Sequence, residues 1–146
     1  MNNNHCVEIL LVEDNPQDEE LALHALRKSK LINPIHVVRD GAEALDFIFA
    51  RGQFTGRQID HPPKVVLLDL KLPKVDGLEV LRQIKEDPRT KFIPVVMLTS
   101  SQLEQDIVRS YELGVNSFIT KPVNFQRFSE AIVQIGLYWA VLNKTF

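Results

Sequence analysis

The sequence predicts an α/β fold, a five-stranded parallel sheet wound on both faces by helices, and three observations predict it. Short apolar runs alternate along the whole chain with segments of helical periodicity. The runs lack an in/out alternation, the mark of strands buried on both faces. Each pair of runs is separated by one helical segment, which makes parallel, right-handed βαβ units. The 146 residues suit one domain with one core.

The elements follow in order. Residues 7–12 form the first run, with one acid inside it, and Leu21, Ala22, Ala25 and Leu26 then fall on one helical face. Ile35–Val38 is a short strand after Asn33-Pro34, and Ala42, Leu45, Ile48 and Phe49 mark a second helix. Residues 51–63 are polar, carry Gly52, Gly56 and Pro62-Pro63, and read as a loop longer than most connections, an insertion or a contact surface. Residues 65–70 are apolar except Asp69; Leu78, Leu81 and Ile84 mark a third helix that stops near Asp87-Pro88. Residues 93–98 are the fourth run. A fourth helix turns Ile107, Tyr111 and Leu103 inward and stops at Gly114. Residues 115–119 form the last strand, and Phe125, Phe128, Ile132, Ile135 and Trp139 mark a long final helix.

Bulk properties exclude several classes. A net charge of −2 with no basic face disfavours nucleic acid and anionic membrane as partners. The run VEILLV contains an acid and is too short for a signal or a membrane span. The single cysteine, Cys6, rules out an intramolecular disulfide and fits a reducing compartment. The expected location is the cytoplasm.

In open parallel sheets the ligand site lies outside the carboxyl ends of the strands. The residues that end the runs are Glu13-Asp14, Asp69, Thr99-Ser100-Ser101 and Thr120-Lys121-Pro122. The second run ends in Arg39-Asp40, which is assigned to the entry of the second helix. Three carboxylates at one edge repel one another, and a hard divalent cation such as Mg²⁺ relieves that repulsion. Lys121 supplies a positive point charge for a phosphate oxygen, and Thr99 a hydroxyl donor. A nucleophilic oxygen, a metal and charge-neutralising donors are the parts that phosphoryl transfer requires.

The segments ILLVEDN, VVLLDLKLPKVDG, PVVMLTSS and FITKP resemble the signature segments of response-regulator receiver domains. The resemblance implies a flavodoxin-like fold with strand order 2-1-3-4-5; the core is expected over about residues 7–134, with the long final helix extending over 135–146 as a candidate dimer contact. It implies that Asp69 accepts a phosphoryl group from a histidine kinase. It implies Mg²⁺ (or Mn²⁺) held by Asp14, Asp69 and the Lys71 backbone carbonyl, with Glu13 acting through water. Thr99 would be the switch hydroxyl, Lys121 the phosphate-binding lysine, Lys121-Pro122 a cis peptide, and Phe118 the aromatic switch residue without the hydroxyl of tyrosine. A narrower resemblance, carried by residues 51–63, IKEDPRTKFIPVVMLTSS and IGLYWAVL, is to the small response regulators that partner cyanobacterial phytochromes. It implies a bacteriophytochrome-type kinase as donor and a homodimer.

Blander roles stand beside these. Glu13 and Asp14 suit a helix N-terminus, Thr99 suits a cap of the fourth helix, and His24, His36 and His61 show no ligand spacing and read as surface residues. Off the inner stripe of the last helix, Val133, Leu137, Ala140 and Val141 form a second apolar set, which predicts a dimer surface. No DNA-binding region follows, so the expected output is a contact with an unidentified downstream protein or a relay step. Lys71 and Ser101 are expected to flank the water approach to the phosphoryl group and to tune its hydrolysis. Turnover of an external substrate is not expected. Phosphatases of the haloacid dehalogenase type place a second acid two residues after the nucleophile, and Lys71 stands there. A module that binds without phosphorylation is the other rival, and the set Asp14, Asp69, Thr99 and Lys121 argues against it.

Overall fold

The computed structural model describes residues 9–28 and 34–136. The strands are β1 (Ile9–Val12), β2 (Ile35–Val38), β3 (Val65–Asp69), β4 (Val95–Thr99) and β5 (Ser117–Thr120). The helices are α1 (Pro16–Lys28), α2 (Gly41–Ile48), α3 (Gly77–Glu86), α4 (Gln102–Ser110) and α5 (Phe125–Gln134). All strand pairs are parallel and the order is β2-β1-β3-β4-β5, as the sequence resemblance implied.

The period of two along each strand divides the core into two layers. Ile9 and Leu11 pack with Ala22, Leu26, Phe128 and Ile132, so α1 and α5 share one face. Leu10 and Val12 pack with Leu45, Phe47, Leu81, Ile84 and Val108, so α2, α3 and α4 cover the other. Strands β1, β3 and β4 are buried at every position, which explains their unbroken apolar composition.

Polar caps fix where the helices begin. Asp40, Asp76, Ser101 and Asn124 each accept a hydrogen bond from the backbone amide three residues on. Asn15 does the same for Asp18 at 3.0 Å, and Pro16 takes the first helical position, where its missing N–H is harmless. The sheet's C-terminal edge is tightened by Gly77, whose amide donates to the Leu70 carbonyl at 2.9 Å. A Cβ on Gly77 would strike the carbonyl oxygens of Asp69 and Leu70.

Several expected inward faces are corrected. In α4 the buried residues are Gln105 and Val108, whereas Leu103, Ile107 and Tyr111 are exposed. The helix meets the sheet on the stripe that carries its polar amide, because that amide has hydroxyl partners there. Leu21, in the second turn of α1, and Phe125, the first residue of α5, also face solvent. His36 is not a bare surface histidine: its ring stacks on Phe47 with centroids 4.5 Å apart and meets the edge of Phe54. Burial lowers its pKa. The 51–63 loop is folded onto that cluster. After the short 3₁₀ turn Gly52–Phe54, the Arg57 guanidinium lies 3.8 Å over the Phe47 ring and donates to the carbonyls of Phe47 and His61. Helix α5 closes at Gln134 with Gly136 at φ 78°, the left-handed conformation that ends helices. Leu137, Trp139, Ala140 and Val141, with His5 and Cys6, lie outside the described residues.

Candidate phosphoryl-acceptor site

The parallel register carries the predicted residues to one edge. Asp69 ends β3 beside β1, whose next two residues are Glu13 and Asp14, and Thr99 ends β4 opposite Thr120 on β5. Glu13, Asp69 and Thr99 are almost wholly buried, at 1%, 4% and 1% exposure, while Asp14 is exposed. Buried carboxylates need partners, and Lys121 provides them. Its ammonium donates to Asp69 Oδ2 at 2.9 Å and lies 3.1 Å from Glu13 Oε1 and 3.1 Å from Asp18 Oδ2. The remaining oxygens are held by main chain: Asn15 donates to Glu13 Oε2 at 3.2 Å and Lys71 to Asp69 Oδ1 at 3.2 Å.

Asp18 was not singled out from the sequence. The signal was available: Pro16 sets the start of α1, so the acids of its first turn lie over the strand edge they follow.

The electrostatics of the pocket favour added positive charge. Burial, then the hydrogen bond and charge of Asp69, push the Glu13 carboxyl up to about 8, against the opposing pull of Lys121 and the Asn15 amide. Burial lowers the affinity of Lys121 for its proton, but the hydrogen bond and charge of Asp69, with Glu13 and Asp18, outweigh it and raise its pKa. One carboxylate atom from each of Glu13, Asp14 and Asp69 lies within 4.8 Å of the others. Three hard oxygens so gathered are a donor set that fits Mg²⁺ or Mn²⁺, and a cation there would relieve the crowding of charge that raises the Glu13 carboxyl.

Thr99 does not cap α4; Ser101 does, through the amide of Glu104. The Thr99 hydroxyl instead accepts from Gln105 at 3.2 Å. Lys71 is largely exposed and pairs with Glu104 at 3.1 Å, on the first turn of α4. Ser101 is thus committed to a cap and Lys71 to an ion pair across the mouth of the site. Phe118 is half-buried, with the Arg109 guanidinium 4.6 Å over its ring. The Lys121-Pro122 peptide is cis.

Comparison with known proteins agrees with this geometry. The family model described as "response regulator receiver domain" matches residues 9–133. The response regulator Rcp1 of Synechocystis is 40% identical over 131 residues, covering 90% of this chain and 87% of Rcp1. The probable methanogenesis regulatory protein FilR2 of Methanothrix harundinacea is 42% identical over 137 residues, covering 94% of this chain and 86% of FilR2. Among solved structures, the bacteriophytochrome response regulator AtBRR superposes with a TM-score of 0.85 at 57% identity, covering 94% of this chain and 98% of its own. The Mn²⁺-bound form of Rcp1 superposes with a TM-score of 0.72 at 38% identity, covering 96% and 97%.

Proposed function

Because the chain belongs to the response-regulator receiver family, we propose that Asp69 takes a phosphoryl group from the phosphohistidine of a histidine kinase and so switches the protein's binding surface. The observation that carries this is the placement of Asp69 in a buried pocket, 2.9 Å from the Lys121 ammonium and gathered with two further acids. An Asp69 carboxylate oxygen attacks the phosphorus, the P–N bond breaks, and the imidazole leaves with a proton. Lys121 releases its hold on Asp69 to the incoming phosphoryl oxygens, and Thr99 donates its hydroxyl proton to another of them. A divalent cation, with Glu13 (through water), Asp14, Asp69 and the Lys71 carbonyl as ligands, would neutralise charge on the phosphoryl oxygens. Phe118 then turns inward beside the displaced Thr99, and the surface of α4 and β5 changes. Lys71 and Ser101 set the approach of water and hence the lifetime of the phosphoryl group.

The donor we propose is a bacteriophytochrome-type kinase, supported by the 57% identity to AtBRR. The 42% identity to FilR2, close to the 40% of Rcp1, makes other kinases the alternative outcome. The protein would act in the cytoplasm as a homodimer through residues 135–146 and bind a downstream protein. Exposed Val133 at the end of α5 supports an apolar contact there. The test is phosphotransfer from autophosphorylated kinases of several input types. Label should pass from the bacteriophytochrome-type kinase to the wild type and not to Asp69→Asn, with dimer mass followed by light scattering in the same samples. Equal labelling of Asp69→Asn would overturn the acceptor assignment, and preference for another kinase class would overturn the donor.

A further inference from the structure

Gln105 is the only polar side chain of α4 that is buried, at 8% exposure. Its amide nitrogen donates to Thr99 Oγ1 at 3.2 Å and to Thr120 Oγ1 at 2.9 Å. Those two threonines are register partners at the ends of β4 and β5. The amide nitrogen has two protons, and each is used. Thr99 accepts one of them through its oxygen, which leaves its own hydroxyl proton for another acceptor. Thr120 immediately precedes Lys121 and lies on the same sheet face as Phe118, two residues before it. Gln105 also lines, with Val108, Arg109 and Phe118, the groove between α4, β5 and α5. One side chain therefore touches the acceptor pocket's hydroxyl, the strand that carries Lys121 and Phe118, and the helix that borders the groove.

We infer that Gln105 is a positioning residue that transmits movement of Thr99 to α4 and β5. The inference rests on the reading of Asp69 as the phosphoryl acceptor. When the Thr99 proton is given to a phosphoryl oxygen, its oxygen still accepts from Gln105. Releasing the amide would give up a hydrogen bond made at a largely buried site, so the amide follows the hydroxyl instead of letting go. Helix α4 is drawn with it, because Gln105 is anchored one turn from Ser101, the cap that fixes the helix start. The Thr120 bond ties the same movement to β5, and so to the Phe118 ring. Without the clasp, phosphorylation would still proceed at Asp69 while α4 failed to follow.

The test uses backbone amide NMR of the full chain, with Mg²⁺ and beryllofluoride as the phosphoryl mimic. The quantity read is the shift change across residues 103–110 divided by that of the Lys71 amide, which bonds Asp69 directly. Gln105→Met keeps side-chain volume and removes the donor; Thr120→Val breaks the other end of the clasp and also covers the case in which Gln105→Met does not fold. Both should keep the Lys71 response; Gln105→Met should lower the ratio across residues 103–110 about fivefold, and Thr120→Val should lower the same ratio taken for the Phe118 amide about fivefold, the effect of losing one net hydrogen bond. Thr120→Ser retains the hydroxyl and should hold the wild-type ratio, which a purely structural role for Thr120 does not require. A wild-type spectrum unmoved at Lys71 would overturn the acceptor reading, and this inference with it. A wild-type response with an unchanged ratio in both Gln105→Met and Thr120→Val would overturn the inference alone.

Discussion

Replacing Lys121 by methionine keeps most of the side-chain volume and removes the cation that faces Glu13, Asp18 and Asp69 in the pocket. The ammonium is 2.9–3.1 Å from an oxygen of each. At an effective dielectric constant of 20 each such pair is worth about 5 kcal/mol before desolvation. That sum overstates the loss. Asp18 is one-third exposed and is rescued by water, and Glu13, pushed up to about 8 even with the lysine present, can take a proton. The charge left stranded is Asp69, with a 6% exposed side chain and the Lys71 amide and the Glu13 carboxyl as remaining partners. Breaking a buried pair at one end costs about 3–5 kcal/mol, and the Glu13 carboxyl, donating its proton to Asp69 in the lysine's place, returns roughly 1 kcal/mol. Lys121→Met should therefore lose about 2–4 kcal/mol of unfolding free energy in EDTA. Saturating Mg²⁺ should restore part of it, about 1.4 kcal/mol at ten times the dissociation constant. The assay is urea unfolding followed by circular dichroism, with and without the metal. A loss under ~0.5 kcal/mol in EDTA, or no recovery in Mg²⁺, would refute the reasoning that the lysine neutralises an acidic cluster.

Glu13 also sets a pH dependence. Its carboxyl holds a proton up to about pH 8 in the folded protein but sheds it near 4.5 when unfolded, so stability in EDTA should fall as pH rises between those values. His36, lowered from 6.5 by burial, acts in the opposite sense at and below that value, so the comparison runs from pH 6.5 to 8. There the wild type should lose roughly 1–2 kcal/mol, and Glu13→Gln or added Mg²⁺ should flatten the slope in urea titrations. Gly77→Ala places a methyl against the carbonyls of Asp69 and Leu70. It should cost about 1–3 kcal/mol in the same unfolding assay and slow labelling of Asp69 about tenfold, by displacing the acceptor. Arg57→Ala removes the cation over Phe47 and two bonds to backbone carbonyls. It should cost about 2 kcal/mol and speed amide exchange across residues 52–63 while the Lys71 amide exchanges as before.

The layered fold was legible because buried parallel strands leave an unmistakable mark: VVLLD and VVMLT have no polar face to hide. The site was legible for a related reason, since an acid or lysine at the end of such a run has few structural uses. Helix faces were less readable. In α4 the apolar residues Leu103, Ile107 and Tyr111 recur at helical spacing, and the period alone assigns them inward. The helix turned the other way because Gln105 finds two hydroxyls on the sheet, partners that lie on strands β4 and β5 and are invisible to a local pattern. The partners of Asp18 and His36 were hidden in the same way, although the place of Asp18 in the first turn of α1 was legible. Their partners, Lys121 and Phe54, are distant in sequence, and only the register of the sheet and the folded 51–63 loop bring them near.

Of the acids at the sheet edge, Asp69 is the one expected to carry the phosphoryl group. After transfer from a phosphorylated kinase, borohydride reduction converts an acyl phosphate on aspartate to homoserine, and tryptic digestion isolates residues 65–71, which hold one acid. Mass spectrometry should find homoserine at position 69 in that peptide. Homoserine at position 14 or 18, with position 69 intact, would contradict it.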